Sequence, residues 1–255
     1  MNLRPGFFRA RYISPVLVSL MVLGTSMSAE DTQNWIRYRG NAYDLRSGAF
    51  LYSENHNEYW QNGRHAYSIV EYRDRDGRLI ASKRINFQAN RSAPTFRLED
   101  RRDGYVEGVE RNASGLALFT RESEGKELRQ TVIQVPDPVV VDGGFDYFVR
   151  DNFDALLQGR SIPLNFVVSA KLDYFRFRVI PAGQTEINGR PALKLRLTID
   201  NLLLRPLVAS MEISYDIETR RLLRYSGVSN INNDQGHSYQ ARIDFTYPPE
   251  ALAHR

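Results

Sequence analysis

Asp142-Gly143-Gly144-Phe145-Asp146-Tyr147-Phe148-Val149-Arg150-Asp151-Asn152-Phe153-Asp154-Ala155-Leu156-Leu157-Gln158-Gly159 is the stretch on which the fold turns. Phe145, Phe148, Val149, Asn152, Phe153, Leu156 and Leu157 recur at helical spacing, while Asp146, Arg150, Asp151 and Asp154 fall mostly on other faces. That pattern predicts one amphipathic helix over 144–158. Asp142 is the expected cap, accepting bonds from the first free backbone N–H groups. Gly159 is the expected stop, since glycine enters the left-handed region without penalty. Upstream, Pro136-Asp137-Pro138 breaks a strand, and Val139 to Val141 is a short apolar run.

Working outward, both flanks alternate with period two. On the N-terminal side the expected strands are 35–39, 49–52, 65–72, 79–87, 95–99, 105–110, 116–120 and 128–135. Asp76-Gly77 and Asp103-Gly104 supply the positive φ of tight turns, and a third turn surrounds Glu124-Gly125. On the C-terminal side the expected strands are 162–168, 172–180, 193–199, 208–215, 221–228 and 240–247. Asn188-Gly189 is the strongest hairpin signal there. Pro248-Pro249 ends the last strand, leaving a tail expected to fray. No linker separates the flanks, so residues 30–255 are expected to form a single β-rich domain.

The first residues read as an export signal. Arg4, Arg9 and Arg11 precede an apolar run from Ile13 to Leu23, and a small-residue stretch from Gly24 to Ala29 follows. Residues 1–29 are therefore expected to be a cleavable signal peptide, cut after Ser28 or Ala29. The apolar run is about half the roughly 20 residues that a spanning helix needs. Without cysteine the chain has neither a lipidation site after the signal nor a disulfide. The expectation is a free periplasmic protein with no transmembrane segment once the signal is gone. The formal charge of +4 falls close to neutral when the three signal arginines leave. Arginines and acids are interspersed, which argues against a nucleic-acid partner.

The usual signs of catalysis are missing. His56 and His65 flank a turn across which they could face each other, and no acid or cysteine completes a zinc site beside them. No serine sits in a Gly-x-Ser-x-Gly elbow. Asn232 to Gly236 lacks the spaced acids of a calcium loop and reads as a turn. The expectation is no catalytic residue, no metal site and no cofactor: not an enzyme.

The unusual feature is aromatic content, 11% of the chain and concentrated on strands. Stretches such as Tyr67 to Tyr72 and Asp173 to Val179 are apolar on both faces. A solvated open sheet keeps one face polar, so something covers the second face: the chain's own helix, a partner or a ligand.

The helix Gly144 to Arg150, the hairpin Ile187-Asn188-Gly189-Arg190 and the stretch Ile213 to Arg224 together make the layout similar to LolA/LolB-like lipoprotein carriers. Related periplasmic proteins of unknown function share it. The resemblance implies a curved antiparallel sheet or half-barrel with helix 144–158 packed in the concave face. It also implies a concave surface that holds acyl chains. The expected function is that of a non-enzymatic envelope protein binding a lipid or other apolar ligand. The doubly apolar strands and the helix make Phe145, Phe148, Phe153, Tyr174 and Phe177 the expected lining. The alternative is a protein-interaction module that docks an envelope partner.

Overall fold

The structure, a computed structural model, describes residues 33–200 and 211–252. The expected signal peptide, and the start of the strand expected at Val208, lie outside the described residues.

Eight strands precede the helical stretch: β1 (Gln33–Asp44), β2 (Phe50–Gln61), β3 (Arg64–Arg73), β4 (Leu79–Asn86), β5 (Thr95–Asp100), β6 (Val106–Asn112), β7 (Gly115–Arg121) and β8 (Arg129–Ile133). Next come β9 (Val139–Val141), α1 (Gly144–Asp151) and α2 (Phe153–Leu157). The chain then forms β10 (Ile162–Val168), a single 3-10 turn (Ser169–Lys171), β11 (Asp173–Ile187) and β12 (Arg190–Ile199). It closes with β13 (Met211–Asp216), β14 (Leu222–Asn232), β15 (Ser238–Thr246) and α3 (Pro249–Leu252). The hairpin turns follow from composition. Asn62-Gly63 and Asn188-Gly189 both have φ between 51° and 77°, the conformation a two-residue turn of matching twist demands.

All fifteen strands belong to one sheet, in the order β8 to β1, then β15 back to β9. Neighbours are antiparallel except β9 and β10, which run parallel because a helix crosses between them. The first and last strands are partners, from Arg39 opposite Thr246 to Asp44 opposite Ala241. The two edges, β8 and β9, are therefore neighbours in sequence. Laid flat, they would stand on the order of 65 Å apart at the usual strand spacing. The residues between Ile133 and Val139 reach only on the order of 20 Å even when extended. The sheet must roll. It is one open, curved half-barrel whose edges approach without pairing. The 3-10 turn after β10 lies against β6 and β7, where Ser169 donates its hydroxyl to Glu107 at 2.7 Å.

The helix fills the concave side. Tyr147 joins a core cluster with Val70, Ile85, Phe87, Leu98 and Ile243, drawn from the first meander and β15. Phe148, Val149, Phe153 and Leu156 join a second cluster with Leu164, Val179, Leu195 and Tyr215 from β10 to β13. The rolled sheet thus wraps the helix, and the covered second face of the strands is explained in large part by the chain's own packing.

Three local expectations need correction. Asp142 does not cap the helix: no side chain caps it, and both Asp142 carboxylate oxygens accept from Lys83 Nζ at 2.8 Å. That nearly buried pair holds the start of α1 to β4. The helix is also interrupted at Asn152, whose Nδ2 donates to the Phe148 carbonyl. And the residues after Pro248 form a helical turn, with Ala251 buried against Ile36 and Trp60. Gly144 is needed for the close approach at the helix start. A Cβ there would sit 2.1 Å from the carbonyl oxygen of Ser92.

Candidate functional site

The end of the roll that carries the β2–β3 turn opens into a cleft of about 970 Å³. Four separate segments build its walls: the β2–β3 turn (Trp60 to Ala66), the loop after β4 (Phe87 to Arg91), α1 (Tyr147, Arg150, Asp151) and the β13–β14 turn (Thr219, Arg220). The last turn is pinned by Asp216, which accepts from the Thr219 backbone and hydroxyl and from Arg190 Nε.

The floor is aromatic. Trp60 and His65 are opposed across β2 and β3 and stack at 5.2 Å. His65 lies 4.2 Å from Phe87, and Phe87 meets Tyr147 edge-on at 5.4 Å. His65 is fixed by two hydroxyls, Nδ1 with Tyr147 and Nε2 with Ser68, each at 2.8 Å. Burial, with Arg221 and Arg150 nearby, lowers its pKa to about 4 against the raising effect of Glu58.

This predicts a pH dependence of definite sign. Between pH 6.5 and 4 the unfolded chain protonates this histidine and the folded one does not. Stability from this group is therefore complete above pH 6.5 and is lost as pH falls toward 4. At roughly 1.4 kcal/mol per pKa unit, the loss is on the order of 3 kcal/mol. In NMR titration the His65 ring signals are expected to move near pH 4; a midpoint near 6.5 contradicts the buried assignment.

The rim is cationic and partly tied to the helix. Arg91 pairs with Asp151, Arg220 with Asp154 at 2.8 Å, and Arg150 with Asp146 at 3.3 Å. Arg91 and Arg150 also stand over the Tyr147 ring, each 5.4 Å from its centre. Arg64 has no ion-pair partner among the described residues and is exposed. The two outer ties, Arg91–Asp151 and Arg220–Asp154, are solvent-exposed. Such pairs each contribute only about 0–1 kcal/mol.

Beneath the floor lies a second polar layer. Glu58 accepts from the Trp60 indole at 3.1 Å and from Arg221 Nη1 at 3.4 Å. Arg221 lies 5.6 Å over the Tyr247 ring. Tyr247 stacks on Tyr38 at 4.6 Å, and Tyr38 on His56 at 4.4 Å. Burial pushes the Tyr38, Tyr215 and Tyr247 hydroxyls up, so all three stay protonated. It also raises the Asp146 carboxyl, although Arg150 and Arg221 oppose the shift.

None of the residues expected to line an apolar site lines this cleft, although Phe153 lies under Arg220 at its edge. Phe148, Phe153 and Phe177 are buried in one cluster, with Phe145 half-buried against it and 6.2 Å from Phe166. Tyr174 is half-buried against the other cluster. His56 and His65 do not face each other: His56 stands opposite Val70, while His65 stands opposite Trp60. The cleft residues Trp60, Phe87, Tyr147, Arg150 and Arg220 carry no sequence motif. The one local signal is Asn62-Gly63, which sets Trp60 and His65 side by side.

No family model matches this chain, and no curated protein matches its sequence. Among solved structures it is similar to a β-barrel-like protein of domain of unknown function DUF1849 from Brucella abortus. That match has a TM-score of 0.50 and 5% identity, covering 83% of this chain and 96% of the other. Weaker likenesses are to a putative outer membrane lipoprotein-sorting protein domain from Vibrio parahaemolyticus (TM-score 0.29, 8% identity, 87% and 89% covered) and a DUF1329 family protein from Desulfovibrio piger (TM-score 0.28, 9% identity, 87% and 88% covered). The expected resemblance holds at the level of the fold, through the β-barrel-like protein of unknown function. No helix among the described residues is long and apolar enough to cross a membrane.

Proposed function

We propose that this chain is a non-enzymatic protein of the cell envelope, exported to the periplasm, that binds a lipid or similar apolar-tailed ligand. One observation carries the reading: the cleft at the mouth of the rolled sheet is floored by aromatic rings and bordered by the helix that fills the interior. An aromatic floor accepts an alkyl chain, and a polar rim keeps the mouth hydrated when empty. The tail runs from the cleft along the helix, toward Phe145, Phe148, Phe153, Tyr174 and Phe177. Those side chains are packed by their own neighbours, so admission requires α1 and α2 to shift. The exposed ion pairs that tie the helix to the rim oppose that shift only weakly. His65, with its pKa lowered to about 4 and both ring nitrogens engaged, is a poor general base, which favours binding over chemistry.

The test is native mass spectrometry of protein purified from its own envelope, together with uptake of a fluorescent fatty acid. Co-purifying lipid, or saturable uptake, is the expected result. Empty protein that takes up no probe overturns the reading. Docking of an envelope protein is the second reading. It draws on β8, an edge strand of the sheet with Leu128 beside it and Val132 within it, 45% and 49% exposed. In-cell crosslinking at Val132 separates the two.

A further inference from the structure

Two buried side-chain atoms lack a hydrogen-bond partner among the described residues, and both belong to Arg221: Nε and Nη2. They form the side-on fork of the guanidinium, the edge that grips two oxygens of one planar or tetrahedral anion. The Arg221 side chain is only 3% exposed. Its one ion-pair contact among the described residues, to Glu58 at 3.4 Å, is long for a charge-assisted bond. Folded chains pair their buried donors almost without exception. A guanidinium left half-satisfied in the interior is the kind of local conflict that marks a functional position.

Its place in the fold gives the conflict a purpose. Thr219 and Arg220, the two residues before it, line the cleft. Glu58, its ion-pair partner, holds the Trp60 indole that forms the cleft floor. On the interior side, Phe153 lies under the Arg220 guanidinium at 5.2 Å and meets Tyr215 edge-on at 6.4 Å. Arg221 itself does not line the cleft: it lies behind the Trp60 floor, paired with Glu58 and over the Tyr247 ring, one residue from the Arg220 that bridges the mouth and Phe153.

Resting on the lipid-binding reading above, we infer that Arg221 receives the anionic headgroup of the ligand, a carboxylate or phosphate monoester, through its free Nε–Nη2 fork. The ligand class is then an anionic single-head amphiphile, not a neutral lipid. The surrounding charges agree. Arg150 and Arg221 face Asp146 and Glu58 within one electrostatic cluster. Burial pushes the Asp146 carboxyl up, while Arg150 and Arg221 oppose the shift. The Tyr38 and Tyr247 phenols keep their protons and so add no competing negative charge.

The experiment compares three fluorescent probes with one tail: dansyl-undecanoic acid, its methyl ester and the matching undecyl phosphate. The native chain is expected to bind the acid and the phosphate roughly tenfold or more tighter than the ester, as a charge-assisted hydrogen bond gives. The double variant Glu58→Met/Arg221→Met, with its fold checked by circular dichroism, is expected to bind acid and ester alike. Equal affinity of the native chain for acid and ester overturns the headgroup assignment and leaves lipid binding standing. Acid preference that survives in the double variant also overturns it, placing the head at the rim arginines. Displacement of the acid by inorganic phosphate alone assigns the fork to a free anion and overturns the lipid source. Failure of all three probes to bind overturns the lipid reading itself, and this inference with it.

Discussion

Replacing Glu58 alone by Met is expected to lower stability by about 3–5 kcal/mol, while Glu58→Met/Arg221→Met is expected to recover most of that loss. The reason is the asymmetry of a buried ion pair. Both side chains are nearly sealed, Glu58 at 8% and Arg221 at 3% exposure. Desolvating two charges offsets most of what their attraction returns, all the more at a separation of 3.4 Å. The pair as a whole is therefore worth little. Removing one partner is another matter, because the remaining guanidinium sits in the interior with no anion in contact. The Trp60 indole loses the carboxylate it donates to in both variants, so the difference between single and double isolates the stranded charge. Urea unfolding with unchanged m-value is the measurement. A single variant as stable as the double contradicts the assignment of Glu58 as the counter-ion.

The contrast between what was legible beforehand and what was not follows from sequence distance. The helix around Phe145 to Leu157 was legible because its apolar positions repeat within a few residues. The hairpin at Asn188-Gly189 declares itself through residues that tolerate positive φ. One continuous β-rich domain followed from alternating strands on either side of one helix, and the half-barrel from the resemblance to LolA/LolB-like carriers. The role of Asp142 was not legible, since an acid beside two glycines invites a cap. The winning partner, Lys83, comes from a strand 59 positions earlier. The cleft was hidden for the same reason. Phe87, Tyr147 and Arg220 meet only because a short link between β8 and β9 forces the sheet to roll. Arg221 was hidden more deeply. Arginine at the start of an alternating stretch reads as a solvated face, and its burial depends on the Tyr247 ring just past the end of β15 and on Glu58 from β2. The aromatic excess did point to a covered second face. What covers it is first of all the helix, so the expected lining residues are core residues before they are anything else.

Phe153→Ala is expected to cost about 3–5 kcal/mol, the range for truncating a buried aromatic, and to change ligand uptake in the opposite sense. Phe153 is 1% exposed and packs among Phe148, Val149, Leu156, Leu164 and Tyr215. It anchors α2 to the concave face of β10 to β13, beside Phe148 and Val149 of α1. Leu157, one turn further on at the end of the same short helix and 38% exposed, is the control; its truncation is expected to stay within about 0.5 kcal/mol. The void left by the phenyl ring is lined by apolar side chains. A void of that kind stays dry and admits an apolar guest. If the tail of the ligand follows the helix past Phe153, the variant will melt earlier and yet bind the dansyl fatty acid more tightly, because less of the native packing must be displaced. The probe will also raise the melting temperature of the variant by more than that of the native chain. Lower stability with unchanged uptake removes Phe153 from the path and confines the tail to the aromatic cleft above Arg221.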